Sequence, residues 1–81
     1  MYLHIGNEVN IRIKDIVGIY DMDSATVSQN TKEFLRRAEK EGRTVYASAD
    51  LPKTFILTAD NTVHFSPIAV SSLLGRLTAS L

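Results

Sequence analysis

Asn30-Thr31-Lys32-Glu33-Phe34-Leu35-Arg36-Arg37-Ala38-Glu39-Lys40-Glu41-Gly42 is the stretch on which the fold turns, because the spacing of apolar residues changes period there. At about 100° per residue, Val27, Thr31, Phe34, Leu35 and Ala38 share one arc of roughly 100°, the apolar stripe of an amphipathic helix. Asn30 with Glu33 three residues on fits a capping box, and Gly42 fits the left-handed position that ends a helix. The spacing predicts a helix over about residues 30–41.

Outward from this helix the period falls to two. On the amino-terminal side Val9, Ile11 and Ile13 alternate with Asn10, Arg12 and Lys14, and Tyr2-Leu3-His4-Ile5 alternates before them. Gly6-Asn7 supplies turn chemistry between the two runs, so a short hairpin is expected. Ile16-Val17-Gly18-Ile19-Tyr20 is more continuously apolar, which predicts an internal strand with a bulge or close backbone approach at Gly18. On the carboxyl side Thr44–Ser48 and Thr54–Thr58 are rich in β-branched and aromatic residues, and Pro52 forbids a continuous strand through the Ala49–Lys53 connection. Ala59-Asp60-Asn61 then turns the chain into Thr62-Val63-His64-Phe65, a second hairpin. Ser66-Pro67 is a helix-start signal, and Val70, Leu73, Leu74, Leu77 and Leu81 follow at helical spacing. The expected architecture is a single α+β domain over residues 1–81. It has a small antiparallel sheet of about five to six strands, one central amphipathic helix and a C-terminal helix.

Eighty-one residues bury only about 60 to 65 per cent of the unfolded surface, so a chain this short usually needs a staple. The sequence has no cysteine, and its two imidazoles, His4 and His64, do not make the four-ligand set that structural zinc wants. Self-association is the staple that remains. The C-terminal leucine stripe serves either as core or as a subunit seam through Leu73, Leu74 and Leu77. The amino terminus lacks the basic start and apolar run of a signal peptide, and no stretch approaches a membrane span, so a cytoplasmic location is expected. Nine Lys/Arg balance nine Asp/Glu, which leaves local clustering as the informative charge property.

Lys32, Arg36, Lys40 and nearby Arg43 gather opposite the apolar stripe of the central helix. They form either a solvated face, with Glu33–Arg37 and Glu39–Arg43 at ion-pair spacing, or a contact surface for nucleic acid. Arg12 and Lys14 share a strand face with Asn10, and Lys53 follows Pro52; strand cations of this kind also blunt unwanted strand pairing. Asp15, Asp21 and Asp23 lack the glycine and distal glutamate of a calcium loop and read as turn and helix-start residues. Neither histidine has an acid at ligand spacing, no serine sits in a nucleophile elbow, and no phosphate-binding glycine loop is present. No nucleophile, base and orienter can be assembled, so no catalytic residue, metal or cofactor is expected.

Leu3-His4-Ile5-Gly6, Lys14-Asp15-Ile16-Val17-Gly18-Ile19, the Lys32–Arg43 helix, Thr54-Phe55-Ile56-Leu57-Thr58 and Leu74-Gly75-Arg76-Leu77 together resemble the RemA/RemB family of extracellular matrix regulators. The likeness covers nearly the whole chain through order and spacing, and its opening and Lys-Asp-Ile-Val segment resemble the RemB branch. It implies a transcriptional regulator of biofilm matrix genes with a LytTR-like fold, assembled as a ring that binds double-stranded DNA through exterior cations. Lys14 falls where the RemA branch has a DNA-contacting arginine, keeping the charge but losing the bidentate fork. Where that branch carries an arginine pair, this chain has Asp50-Leu51-Pro52 and then Lys53. Under the resemblance, Lys14, Lys53, Arg12, Lys32 and Arg36 are the candidate phosphate contacts, and repetition in a homo-oligomer strengthens them. The alternative is an interaction module that partners or antagonises a RemA-like protein without binding DNA.

Overall fold

A computed structural model describes the backbone of residues 1–25 and 28–80, and the side chains of all these except Ala25, Ala79 and Ser80. Val27 and Leu81, counted above with the two helical stripes, lie outside the described residues. In chain order the elements are β1 (Tyr2–Gly6), β2 (Val9–Arg12), a 3-10 turn (Ile13–Asp15), β3 (Ile16–Asp21) and α1 (Met22–Ala25). Then come α2 (Gln29–Lys40), β4 (Thr44–Tyr46), β5 (Thr54–Thr58), β6 (Val63–Ser66) and α3 (Val70–Ser80).

The α+β class stands, but the strands divide into two sheets rather than one. β1 and β2 form a separate two-stranded hairpin, and the other four strands are ordered β3-β5-β6-β4. The hairpin turn lies one residue later than its glycine indicates, on Asn7 and Glu8, both at positive φ (42° and 63°). β4 runs parallel to β6, so the larger sheet is mixed rather than wholly antiparallel. The pattern along the chain could not reveal this, because parallel and antiparallel neighbours carry the same alternation.

β5 is buried along almost its whole length because both sheet faces are covered. On one face Phe55, Val63 and Phe65 meet Ala38 of α2, with Phe34, Leu35 and Leu57 around them. On the other, Ile56 meets Leu3, Ile5 and Ile11 of the hairpin and Leu73 of α3. Ser66 joins these layers. Its buried Oγ donates to the Ile5 carbonyl at 2.6 Å and accepts from the Ile68 N–H at 3.1 Å. That bonding explains a correction: Ser66 ends β6, and α3 begins four residues later at Val70.

Three further expectations change. β3 is an edge strand, not an internal one, although its register does shift between Ile16 and Gly18 as the glycine indicated. α2 starts at Gln29 with Ser28 as N-cap and no side-chain cap hydrogen bond, so the Asn30/Glu33 capping box does not form. Its other end is as expected, with Gly42 at φ 73° beyond the last turn. The run through Ile13 and Lys14 breaks into the 3-10 turn, where Asp15 accepts from Arg12. Asp21 caps α1 by accepting from the N–H groups of Asp23 and Ser24, the helix-start role read from its position.

Candidate functional site

The cations fall into three separate places. Arg12, at the end of β2, and Lys14, in the 3-10 turn, flank a hollow of about 500 Å³ with Met1, Tyr2 and Ile13. The Arg12 guanidinium is held by Asp15 at 2.9 Å, which raises its pKa above the ordinary value, whereas Lys14 projects freely into solvent. Lys14 is therefore no longer on a strand face with Arg12, because the turn re-aims it.

Lys53 sits at the opposite end of the sheet. Its N–H donates to the Ser66 carbonyl and its carbonyl accepts from the Met22 N–H, both at 2.9 Å, which fixes the backbone while the side chain stays exposed. Ile16 pairs with Thr58 and Asp21 with Thr54, so the full length of β3 separates Lys14 from Lys53. Five strand steps correspond to about 17 Å.

Lys32 and Arg36 lie on the exposed side of α2, away from Phe34 and Ala38. The next turn is of mixed sign: Glu33, Arg36, Arg37, Lys40 and Glu41 line a hollow of about 560 Å³. Arg43 does not join this stripe. It pairs with Glu41 at 2.8 Å, donates to the Asn61 carbonyl and lies 6.0 Å from the centre of the Phe34 ring, so it serves as a clamp between α2 and the sheet. Glu39 is engaged by the Tyr46 hydroxyl rather than by Arg43; burial and the Glu39 carboxylate raise that hydroxyl's pKa. Among the described residues, no carboxylate pairs with Lys14, Lys32, Arg36 or Lys53.

A fourth place was not legible in the sequence. Asn10, Arg12, Asp15, Thr58, Asp60 and His64 line a hollow of about 580 Å³ between the hairpin and the larger sheet. The Thr58 hydroxyl donates to Asp60 at 2.6 Å and lies 3.3 Å from His64 Nε2, while His64 Nδ1 is buried without a hydrogen-bond partner. The cross-strand alignment of β5 and β6 creates this set, and the sequence offered only alternation, which put His64 on a polar face. Among the described residues, no group of three His, Asp or Glu could hold a metal ion.

Burial pushes the His64 pKa below its ordinary 6.5, and the Asp60 charge opposes that shift only in part. Below about pH 6.5 the unfolded chain therefore takes up a proton that the folded chain resists. Stability is expected to fall as pH drops from 7.5 through 6.5 and to level off once the folded imidazole also titrates. Urea midpoints at pH 7.5 and 5 check this, with His64→Gln expected to flatten the part of the difference that belongs to the histidine.

The leucine stripe is split. Leu73 is 0% exposed and belongs to the core, Leu77 is half-buried against that core, and Leu74 is 48% exposed. Of the three, only Leu74 offers substantial surface to a neighbour. No described helix is long and apolar enough to cross a membrane.

Exposed cations are thus dispersed over a small scaffold whose larger sheet is covered on both faces. Residues 2–77 match the RemA-like family, described as extracellular matrix regulatory protein A-like, and the chain belongs to it. Within the RemA/RemB group it is RemB-like. It is 33% identical over 76 residues to extracellular matrix regulatory protein B of Bacillus subtilis (strain 168), covering 94% of this chain and 89% of that protein.

Proposed function

We propose that this chain is a cytoplasmic, DNA-binding transcriptional regulator of extracellular matrix genes that works as a homo-oligomer, with Lys14 and Lys53 as its principal phosphate contacts. Arg12, Lys32 and Arg36 assist. The observation that carries this reading is the exposure of Lys14, Lys32, Arg36 and Lys53 without carboxylate partners among the described residues. Such side chains are available to neutralise phosphates and to release the counterions that drive association with duplex DNA. They position the duplex without reading its bases. Family membership supplies the regulatory context, and the ring and LytTR-like likeness expected from it belong to the same proposal.

The separation of Lys14 from Lys53 supports the oligomeric part. Two cations about 17 Å apart on one small chain make a weak site, whereas several copies on one duplex add their contacts at high effective concentration. In fluorescence anisotropy with a labelled duplex at low salt, Lys14→Ala/Lys53→Ala is expected to weaken binding at least tenfold. Unchanged affinity removes both residues from the interface.

A second reading is an interaction module for a RemA-like protein. Zero net charge and Leu51, 88% exposed in the β4–β5 connection where the arginine pair is missing, favour it. Wild-type protein that ignores DNA at low salt yet retains a RemA-like partner would establish this reading in place of the first.

A further inference from the structure

The geometry points to the two open edges of the larger sheet as one seam: β3 of one copy pairs with β4 of the next, and Tyr46 of the second copy lies at the mouth of a notch beside β3 of the first. This rests on the homo-oligomer proposed above and names the surfaces that build it.

The first observation is an aromatic row. Tyr20 pairs with Phe55, Phe55 with Phe65, and Phe65 with Tyr46, so one aromatic residue per strand crosses the whole sheet at one level. Tyr20 stacks on Phe55 at 5.0 Å and Tyr46 on Phe65 at 4.6 Å. The two phenylalanines are buried, but the end tyrosines are 41% and 51% exposed. The row ends at both edges on a partly exposed tyrosine.

The second observation is the apolar character of those edges. Val17, 61% exposed, joins Tyr20 on β3, and Val45 joins Tyr46 on β4, so large apolar side chains are exposed on both outer strands. β3 has the continuous apolar sequence of an internal strand yet ends the sheet, without the charged and proline-rich protection that edge strands usually carry. On β4 the Val63 N–H donates to the Arg43 carbonyl and the Ala47 N–H to the Phe65 carbonyl. In a parallel pair this turns the backbone groups of Thr44 and Tyr46 outward, away from β6.

The third is a receptacle. Tyr20, Asn30, Thr31, Phe34, Phe55 and Leu57 line a notch of about 290 Å³ between β3 and α2, on the sheet face that carries the aromatic row. A β4 strand added beside β3 places its Tyr46 next to Tyr20 at the mouth of this notch and its Val45 on the other face beside Ile19. The occupant comes from the same chain, because the same chain supplies the matching end of the row.

Direction fits as well. β5 is antiparallel to β3 and β6, and β4 is parallel to β6, so β3, β6 and β4 all run one way. A neighbour related by rotation about an axis along the strands therefore offers β4 parallel to β3. This contact is heterologous, and each copy spends one edge on each neighbour.

Mixing blocked variants tests the seam. Val17→Lys and Tyr20→Lys block β3, Val45→Lys and Tyr46→Lys block β4, and circular dichroism selects a folded variant for each edge. If tyrosine replacement unfolds the chain, the two valine variants at exposed positions carry the experiment. By light scattering, wild type is expected to exceed a dimer, and each variant alone to run as a 9.0 kDa monomer. An equimolar mixture of a β3 variant with a β4 variant should form a 1:1 pair of about 18 kDa, twice 9.0 kDa, and nothing larger. Variants that assemble like wild type, a single variant that dimerises alone, or a mixture that stays monomeric would each overturn the seam. DNA binding, followed in parallel by anisotropy, reports separately on the function proposed above: an assembled wild type with a different seam leaves that function standing.

Discussion

Leu73→Ala is expected to destabilise the fold by about 2–5 kcal/mol, and Leu74→Ala, one residue along the same helix, by less than about 0.5 kcal/mol. Leu73 is fully buried between the hairpin and the larger sheet, among Leu3, Ile5, Ile11 and Ile56, so truncation leaves a cavity that several elements would have to close together. Leu74 faces outward and leaves no cavity. A chain of this length has roughly 4–12 kcal/mol in total, so the Leu73 variant loses a large part of its margin. For a domain of this size each kcal/mol lowers the melting temperature by about 4–8 °C. Thermal unfolding at low protein concentration, where association contributes least, separates the two variants. Equal losses at both positions would mean that α3 is rotated from the phase described here.

How much of this was legible in the residues depends on whether local pattern or long-range pairing decided the matter. The α2 stripe of Phe34, Leu35 and Ala38, the Gly42 terminus and the 54–65 hairpin are set by neighbouring residues, and the spacing found them. The division into two sheets and the parallel β4–β6 pair depend on contacts between distant segments, and alternation has no signature for those. Ser66 shows the same limit on a smaller scale. Its hydroxyl and the following proline carry a helix-start signal, but a hydrogen bond to Ile5, 61 residues away, holds it in β6 instead.

The candidate site was legible as a set of residue types and not as a placement. Sequence named Lys14, Lys53, Arg12, Lys32 and Arg36, and all five are exposed. It did not show that Asp15 would take Arg12, that Arg43 would turn inward as a clamp, or that Lys14 and Lys53 would stand at opposite ends of β3. The Thr58–Asp60–His64 set was missed because it exists only across the β5–β6 ladder. β3 is the most informative disagreement: its sequence has the apolar run of an internal strand, and in one copy of the chain it is an edge. The second copy proposed for that edge would reconcile the two.

In the proposed regulator, several copies share one duplex through repeated cations. A single copy engaging all five of the named cations gives a salt slope of about −4.5 or shallower, since each neutralised phosphate contributes about −0.9 to the dependence of log K on log salt. Light scattering of wild type bound to a short labelled duplex, repeated across salt concentrations, measures copy number and slope together. More than two copies per duplex, with a slope steeper than about −5, is the result expected. A single 9.0 kDa chain per duplex with a shallow slope, or no complex at low ionic strength, would contradict it.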